Sequence, residues 1–270
     1  MRQSTSYKNS LKTSFSKAAK TYDTYSTVQR DVNKRLLGLI PKGSFGCVLE
    51  IGCGTGTFTK MFLEKREIRE LVAVDLSTDM VMEAKRKIAD KRDRPCHFVC
   101  CDGEELPFIP KNRFDLIVSS SCIHWFIDLE NSLDTLSSKY LKKNGLIVCA
   151  LFGKGTLEEL RLVIKKTVDE SILLPSDSFP NIRDVSHALG KNLRCLTMES
   201  YSISRDYPDL FHLLICLKRT GTAPKIARTG AYLSRKKIIE ADRLYRKMYG
   251  SITASYEIIL FSAAADPGLL

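Results

Sequence analysis

The chain has 270 residues, 44% of them hydrophobic, which is enough to bury one core with a lid or an insertion beside it. No apolar run approaches the roughly 18 residues of a membrane span, and the Lys-rich start lacks the apolar segment of a secretory signal. Nine cysteines, most of them in apolar strand-like runs, favour reduced thiols. We therefore expect a cytoplasmic protein without membrane contact.

The net charge of +11 is unevenly spread along the chain. Residues 1–35 contain eight Lys or Arg and two acids, and residues 218–247 contain ten and two, so the remainder carries −3. Such basic blocks are either solvated helix faces or surfaces that attract an acidic partner. Since aromatic side chains do not alternate with the basic ones in either block, we do not expect nucleic acid as that partner.

Aromatic and apolar residues recur at helical spacing near the start, from Phe15 through Ala18 and Ala19 to Tyr22. The spacing predicts one or two amphipathic helices before the first strand. Tyr22 can either pack this segment onto the rest of the molecule or contact a ligand.

The most informative stretch spans residues 48–58, where an apolar run precedes three glycines at alternate positions and then a helical pattern. This order predicts a buried strand, a tight turn and a helix N-terminus. A dinucleotide fingerprint would have glycine where Thr57 stands. Glu50 would repel a pyrophosphate, whereas a carboxylate at this position suits a cationic or amine-bearing ligand.

A second strand-like run, 71–75, ends in Asp75 about 20 residues further on, where an acid accepts hydrogen bonds from a ribose diol. Strand and helix then alternate, as in a parallel α/β sheet. The predicted strands are 47–51, 71–75, 96–101, 114–119, 145–151, 195–203 and 256–264. The predicted helices are 56–66, 78–92, 129–141, 156–172, 181–190, 207–219 and 234–249.

Several residues predict where these helices begin and end. Ser77 or Thr78 can cap the helix at 78–92. Thr156 with Glu159 predicts a capping box, and two lysines before Gly145 predict a helix C-terminus.

Polar and aromatic residues follow the third and fourth predicted strands, at the edge where open α/β sheets bind their ligands. Asp102 follows the third strand, and His124 and Trp125 follow the fourth. Trp125, the only tryptophan, is either a core anchor or a site residue. His124 is either a base or a neutral wall and hydrogen-bond donor of a pocket.

One cysteine cluster, Cys96-His97-x-x-Cys100-Cys101, has the residue types of a metal site. It lies on a predicted strand, where alternate side chains point to opposite faces and so scatter the ligands. We therefore expect no bound metal.

The glycine turn with Glu50 and Asp75 resembles that of the class I methyltransferases that depend on S-adenosylmethionine. Further strings resemble one family among them, the malonyl-acyl-carrier-protein O-methyltransferases of biotin synthesis. These strings are Phe15-x-x-Ala18-Ala19-x-x-Tyr22 with Gln29, Asp102 to Phe108, Trp125, Phe152-Gly153-x-Gly155-Thr156-Leu157-x-Glu159-Leu160, Leu217-Lys218-x-Thr220-Gly221, Leu233-Ser234-Arg235 and Tyr256-Glu257.

The resemblance implies an α/β fold with a Rossmann-like seven-stranded sheet, an N-terminal helical lid at 1–40 and a methyltransferase domain at 41–270. A helical insertion at about 207–250 precedes the last strand. The implied residues for the cofactor, S-adenosylmethionine, are Tyr22, Gln29, Glu50, Gly52, Cys53, Gly54, Gly56, Asp75, Leu76, Met80, Asp102 (on the adenine amino group), Gly103 and Ser119. Those implied for the substrate are Tyr22, His124, Trp125, Phe152, Thr156, Arg205, Lys218 and Arg235.

The resemblance also implies methyl transfer to the free carboxylate of a malonyl group held as a thioester on acyl-carrier protein, whose acidity would suit the basic blocks. Since this carboxylate is already ionised, we expect no catalytic acid or base. A cation should hold it, and Arg205, Lys218, Arg219 and Arg235 are the candidates.

Two residues depart from the family pattern near the substrate region: His124 replaces the usual Gln, and Cys216 stands where His is frequent. Two other functions therefore stay open. One is methyl transfer to another small carboxylate, nitrogen or carbon acceptor. The other is a non-enzymatic binding module, which the intact acids Glu50, Asp75 and Asp102 disfavour.

Overall fold

A computed structural model describes residues 2–89, 95–107, 110, 113–168, 170, 172–190, 192–223 and 234–265. Its centre is a seven-stranded sheet. The strands are β1 (Ser44–Ile51), β2 (Glu67–Asp75), β3 (Cys96–Cys100), β4 (Phe114–Ser120), β5 (Leu141–Phe152), β6 (Leu193–Tyr207) and β7 (Ile252–Ala265). They lie in the order β3-β2-β1-β4-β5-β7-β6, and β7 runs antiparallel to both of its neighbours while the other pairs are parallel.

The helices lie before β1 and between strands. They are α1 (Arg2–Ala18), α2 (Tyr22–Tyr25), α3 (Thr27–Leu39), α4 (Thr57–Lys65), α5 (Thr78–Lys87), α6 (Leu129–Thr135), α7 (Glu158–Thr167), α8 (Ile182–Ala188), α9 (Leu210–Arg219) and α10 (Arg235–Tyr249). Among the described residues, short helical turns lie at Ile123–Trp125, Leu136–Tyr140 and Pro175–Ser178. This is the predicted Rossmann-like α/β fold, with α9 and α10 forming the predicted insertion before the last strand.

Two apolar clusters cover the two faces of the sheet, because neighbouring residues of a strand point to opposite sides. Val48 belongs to one cluster and Leu49 to the other, and the same alternation runs through β2, β4, β5 and β7. On the first face α3 buries Val32 and Leu36 completely. Each such side chain contributes roughly 1.5–3 kcal/mol of burial free energy, which fixes α3 on the sheet.

The carboxyl ends of β1 and β4 form the switch point of the sheet, because β1 pairs with β2 on one side and β4 on the other. The chain that leaves β1 forms the glycine turn, and the chain that leaves β4 forms the 3-10 turn Ile123–Trp125. Ligands of doubly wound sheets bind in the crevice between two such loops. Helix α1 contacts α5 and α9 across this crevice, and Ser16 and Ser77 hydroxyls lie 2.9 Å apart.

One predicted helix cap is confirmed, and two predictions of helix ends were wrong. The Ser77 hydroxyl accepts the Met80 N–H and caps α5. At α7 the N-cap is instead Leu157, in a left-handed conformation, because the Thr156 hydroxyl donates to the Glu257 carbonyl. Gly145 does not end a helix, because the chain is already in β5 from Leu141 onward.

Some of the predictions fall on residues outside the described ranges. They are the end of the helix at 78–92, Phe108, and Leu233 with the rest of 224–233 in the insertion. Within the described part of the chain, no helix combines the length and apolar character that crossing a bilayer requires.

Candidate active site

The glycine turn after β1 is held against β2 by main-chain hydrogen bonds. The N–H groups of Gly52 and Cys53 both donate to the Val74 carbonyl, at 2.8 and 3.0 Å. Gly52, Gly54 and Gly56 have φ values of 74°, 53° and 78°, a left-handed conformation that favours glycine. A Cβ at Gly52 would also overlap the Cys122 side chain, so this turn needs glycine for both conformation and space.

Asp75, the last residue of β2, fixes the next part of the turn. One carboxylate oxygen accepts the Gly54 N–H and the other accepts the Ser77 N–H, both at 2.9 Å. Burial raises the pKa of Asp75, and these main-chain donors partly offset that rise. The carboxylate keeps lone pairs for a further donor, as a ribose diol would require.

A first cavity of about 700 Å³ opens at this edge, between the turn and α1. Predicted cofactor residues on its wall are Tyr22, Gly52, Gly54, Asp75, Leu76, Met80, Asp102 and Gly103. Helix α1 contributes Lys8, Leu11 and Phe15, which lie on one helix face at spacings of three and four residues. Lys8 was not predicted as a site residue, although its spacing from Phe15 places both on that face.

Lys8 ties α1 to the loop after β3. Its ammonium group lies 3.2 Å from an Asp102 oxygen and also forms an ion pair with Glu104. Glu104 in turn accepts the Ile127 N–H at 3.0 Å. Helix α1 therefore covers one end of the first cavity and is ion-paired to Asp102, the acid predicted to bind adenine.

A third cavity, of about 380 Å³, adjoins the first and shares Tyr22, Gly52 and Gly54 with it. Cys53 and Gln29 lie here, as does Arg30, which was not predicted as a site residue although it directly follows Gln29. Ser121 has a left-handed φ of 56°, and its hydroxyl is buried without a partner among the described residues. Such a strained residue with an unpaired hydroxyl at a cavity wall is typical of a ligand site.

Three predicted cofactor residues, Glu50, Gly56 and Ser119, line neither the first nor the third cavity. The Ser119 hydroxyl donates to the Ile51 carbonyl, and Gly56 packs closely against Ala84. Glu50 is 2% exposed; one of its carboxyl oxygens accepts from Thr59 and the other has no partner in the described structure. Their direct contact with a cofactor stays a prediction.

The second cavity, of about 360 Å³, lies on the other side of Trp125, which lines both it and the first cavity. It brings together four residues predicted for the substrate: His124, Trp125, Phe152 and Thr156. Phe179, which no sequence pattern indicated, lies with its ring centre 4.5 Å from the His124 ring centre and 5.1 Å from that of Trp125. The remaining wall consists of Gln29, Leu157, Pro175, Ser176, Leu217, Thr222 and Tyr256.

The cations predicted to hold a substrate carboxylate lie elsewhere. Arg205 forms an ion pair with Asp31 of α3. Lys218 and Arg235 are exposed, near the end of α9 and at the start of α10. Among the described residues, no Lys or Arg lines the second cavity, so their role in substrate binding stays a prediction.

His124 is suited to hydrogen bonding rather than to proton transfer. Its imidazole is 4% exposed, and burial lowers its pKa to about 3, so the ring is neutral near pH 7. Nδ1 accepts the main-chain N–H of Phe152 at 3.3 Å. A weak base with one nitrogen already engaged is a poor general base.

A family model described as a methyltransferase domain matches residues 48–145. Malonyl-[acyl-carrier protein] O-methyltransferase 2 of Ilyobacter polytropus is 32% identical over 90% of this chain and 92% of its own length. The chain belongs to the class I S-adenosylmethionine-dependent methyltransferases that include the malonyl-acyl-carrier-protein O-methyltransferases. This confirms the resemblance of the sequence strings.

Other relatives of this methyltransferase carry different names. The mitochondrial arginine-hydroxylase NDUFAF5 of Rattus norvegicus is 35% identical over 79% of this chain, which spans 62% of that protein. The crystal structure of the YcgJ protein from Bacillus subtilis has a TM-score of 0.63, with 18% identity, and the match covers 88% of this chain and 100% of that one. The latter likeness shows the fold.

The first and third cavities fit S-adenosylmethionine by the chemistry of their walls. Asp75 would offer acceptors to the ribose, and Asp102 would offer one to the adenine amino group. In the third cavity, Arg30 and the unpaired Ser121 hydroxyl would be donors to the carboxylate of the amino-acid end. The glycine turn leaves room between these groups.

We expect Asp75→Ala to weaken S-adenosylmethionine binding by about 1–3 kcal/mol, because charged hydrogen bonds to the ribose are lost. Isothermal calorimetry measures the affinity, and thermal unfolding shows whether the variant is folded. Asp79→Ala removes an exposed acid of the same α5 region and serves as the matched control. Unchanged affinity in a folded Asp75→Ala variant would contradict the ribose assignment.

The buried carboxyl of Glu50 should make the stability of the cofactor-free protein depend on pH. Burial raises its pKa from 4.5 to about 8. A carboxyl whose pKa is raised by folding stabilises the protein below its unfolded pKa, and this contribution is lost as pH rises through the folded pKa. We therefore expect the unfolding free energy to fall by up to a few kcal/mol between about pH 5 and pH 8.

Urea unfolding of the wild type and of Glu50→Gln across this range checks the expectation, since the difference between them isolates Glu50 from other titrating groups. The amide cannot ionise, so the wild type should lose stability relative to the variant as pH rises. A difference that stays constant with pH would show that Glu50 is ionised throughout.

Proposed function

We propose that this methyltransferase transfers the methyl group of S-adenosylmethionine to the free carboxylate of malonyl-acyl-carrier protein, giving the malonyl methyl ester that starts pimeloyl and biotin synthesis. The observation that carries the proposal is the pair of cavities that meet at Trp125, one with acids for a nucleoside and one with aromatic walls. The name of the Ilyobacter polytropus relative, which matches over 92% of its length, supports the malonyl thioester as acceptor.

Trp125 and the lid position the acceptor beside the cofactor. The Trp125 ring packs edge-on against Phe15 of α1 at 5.7 Å and against Phe179 at 5.1 Å. Trp125 therefore contacts both the helix that covers the first cavity and the wall of the second. An acceptor in the second cavity faces the methyl donor past this ring.

The proposed reaction needs no acid or base catalyst. When bound, S-adenosylmethionine supplies a methyl group already activated by its positively charged sulfur. A malonyl carboxylate is ionised at neutral pH, as an exposed side-chain carboxyl with a pKa of about 4 is. The residues of this chain therefore have to align oxygen, methyl carbon and sulfur, and alignment of this kind supplies up to several kcal/mol.

The apolar walls of the second cavity provide a second contribution to catalysis. Trp125, Phe152, Phe179 and Tyr256 are all less than 9% exposed. They exclude water, and the resulting low dielectric strengthens the attraction between a carboxylate and a nearby cation. No proton needs to move, which agrees with the neutral state of His124.

The exposed face of α10 is the surface we propose for the carrier protein. Lys236, Ile239 and Arg243 are exposed on this helix, at spacings that place them on one side. Helix α10 packs on α9, whose Leu217 lines the second cavity. A basic surface here would attract an acidic carrier and bring its acyl arm to the cavity.

A second candidate follows from the rat relative, which is named an arginine-hydroxylase. A guanidinium group would need a carboxylate partner, because a buried unpaired charge is costly. Within the described structure, no acidic side chain lines the second cavity. A cationic acceptor would also be repelled by the positively charged sulfur of the cofactor, whereas a carboxylate would be attracted to it, so other small carboxylates are the main rivals of the malonyl thioester.

A methyl-transfer assay with labelled cofactor distinguishes these acceptors. We expect turnover with malonyl-acyl-carrier protein and much lower turnover with free malonate or with an arginine-containing peptide, because only the first brings both the thioester and the acidic carrier. Transfer to free malonate at an equal rate would replace the proposed acceptor by a small free carboxylate.

We expect the double reversal Lys236→Glu with Arg243→Glu to raise KM for malonyl-acyl-carrier protein about tenfold, because attraction between basic and acidic surfaces becomes repulsion. Malonyl-pantetheine, which lacks the carrier, should keep its KM. Lys237 is left unchanged, because its ammonium group donates to the Thr167 carbonyl at 2.6 Å and so supports the helix packing.

The control variant is Lys60→Glu with Lys65→Glu, which makes the same charge change on the exposed side of α4. It should leave both substrates unaffected. Equal losses for the carrier-bound and carrier-free substrates, or no dependence of KM on salt, would identify the α10 block as a solvated helix face.

A further inference from the structure

His124 presents a single, defined hydrogen-bond donor to the second cavity. Because Nδ1 accepts the Phe152 N–H, that nitrogen carries no proton, and in the neutral ring the proton must be on Nε2. The structure gives Nε2 no acceptor among the described residues, and His124 lines the cavity. The main chain of β5 thus selects the tautomer that donates into the cavity.

Ser176 supplies a second donor on the same wall. The residue is 2% exposed, and its hydroxyl is buried without a partner in the described structure. Its carbonyl accepts the Phe179 N–H at 3.2 Å, and the Phe179 ring lies 4.5 Å from His124. Ser176 and His124 thus both adjoin Phe179 and line the same cavity, and a buried hydroxyl left unpaired is costly unless a ligand satisfies it.

Other hydroxyls on this wall already have partners. The Thr156 hydroxyl donates to the Glu257 carbonyl at 3.2 Å. The Tyr256 hydroxyl is 2.9 Å from that of Tyr207. His124 and Ser176 are thus distinguished from them by having a donor to spare.

We infer that the Nε2–H of His124 and the hydroxyl of Ser176 bind the thioester carbonyl oxygen of the acceptor and so select acyl groups that carry a carbonyl next to the methylene of the reacting carboxylate. This inference rests on the proposed function and assigns its specificity. It places the neutral end of a malonyl group between aromatic rings and its carboxylate toward Trp125 and the first cavity.

The absence of charged side chains from the described wall of the second cavity supports this orientation. Two neutral donors satisfy the lone pairs of an uncharged carbonyl oxygen, whereas a carboxylate buried at the same point would need a cation. In a malonyl thioester a single methylene separates the carboxyl carbon from the thioester carbonyl. Holding the carbonyl therefore also restricts where the carboxylate can lie, which is the alignment that the reaction requires.

The test compares two small acceptors that differ only at this carbonyl. One is malonyl-pantetheine, and the other is the pantetheine thioether of propionate, in which a methylene replaces the thioester carbonyl. We expect the wild type to favour malonyl-pantetheine by about 100-fold or more in kcat/KM, because a site built for an oxygen rejects an analogue without it.

Ser176→Ala should lower kcat/KM for malonyl-pantetheine about tenfold, and His124→Phe about 10–100-fold, as the loss of one donor each predicts. Both losses should arise mainly from a higher KM. The rate with the thioether should stay nearly unchanged, so each variant should largely lose the preference for malonyl-pantetheine over the thioether. His124→Gln should retain most activity, because an amide offers an acceptor for Phe152 and a donor for the carbonyl. Ser178→Ala, at an exposed serine of the same turn, is the control.

A measurement without turnover tests the donor itself. Nitrogen-15 NMR of the histidine ring, assigned by the loss of its signals in His124→Gln, should show a protonated Nε2 and a bare Nδ1. The opposite tautomer would overturn the inference, since the donor would then point at the main chain of β5.

The kinetic outcomes separate this inference from the proposed function. In one outcome, the wild type methylates malonyl-acyl-carrier protein while folded Ser176→Ala and His124→Phe lose kcat/KM by the same factor with both small acceptors. That result overturns the carbonyl assignment and leaves the proposed function intact. If the wild type does not methylate malonyl-acyl-carrier protein, the proposed function fails and the carbonyl assignment fails with it. A fall in kcat of about a thousandfold in His124→Gln at unchanged KM would instead identify His124 as a general base.

Discussion

The pairing of β1 with β2 at their carboxyl ends is the constraint on which the site depends. The Val74 carbonyl accepts two N–H groups of the turn, and the Asp75 carboxylate accepts the Gly54 and Ser77 N–H groups. These four hydrogen bonds fix the turn, the start of α5 and the acid itself in one arrangement. A shift of one residue in strand register would reverse every side chain and separate them.

Much of the fold and of the first cavity could be predicted because the signals are local. Apolar runs and glycines mark strands and turns within a few residues, and the acids at the ends of β2 and β3 follow from the sheet. Signals that depend on distant contacts were missed. Arg205 pairs with Asp31, far away in sequence, and Ser176 reaches the wall of the second cavity only once the Pro175–Ser178 turn packs beside Phe179.

Local rules also failed where tertiary contacts compete with them. Thr156 and Glu159 have the spacing of a capping box, yet the Thr156 hydroxyl donates to Glu257 and the Glu159 carboxylate accepts the Ser255 N–H. Both side chains therefore bind β7 instead of the start of α7. A helix start is thereby fixed to the strand beside it, and these two residues lie in one of the strings that resemble the methyltransferase family.

The two cavities differ in the charge of their walls, and this difference favours the proposed reaction over its reverse. The acids Asp75 and Asp102 line the first cavity, with Lys8 as the counter-charge that ties down the lid, whereas the described wall of the second cavity is uncharged. With S-adenosylmethionine bound, a carboxylate in the second cavity would be attracted to the positively charged sulfur, since the described wall of that cavity offers no cation. Methyl transfer removes both charges together, so the ester and the sulfide that remain lose that attraction. An apolar cavity without charged groups stabilises separated charges poorly, so it favours the neutral ester and sulfide over the reacting ion pair, and a cation on its wall would reduce this preference by stabilising the carboxylate.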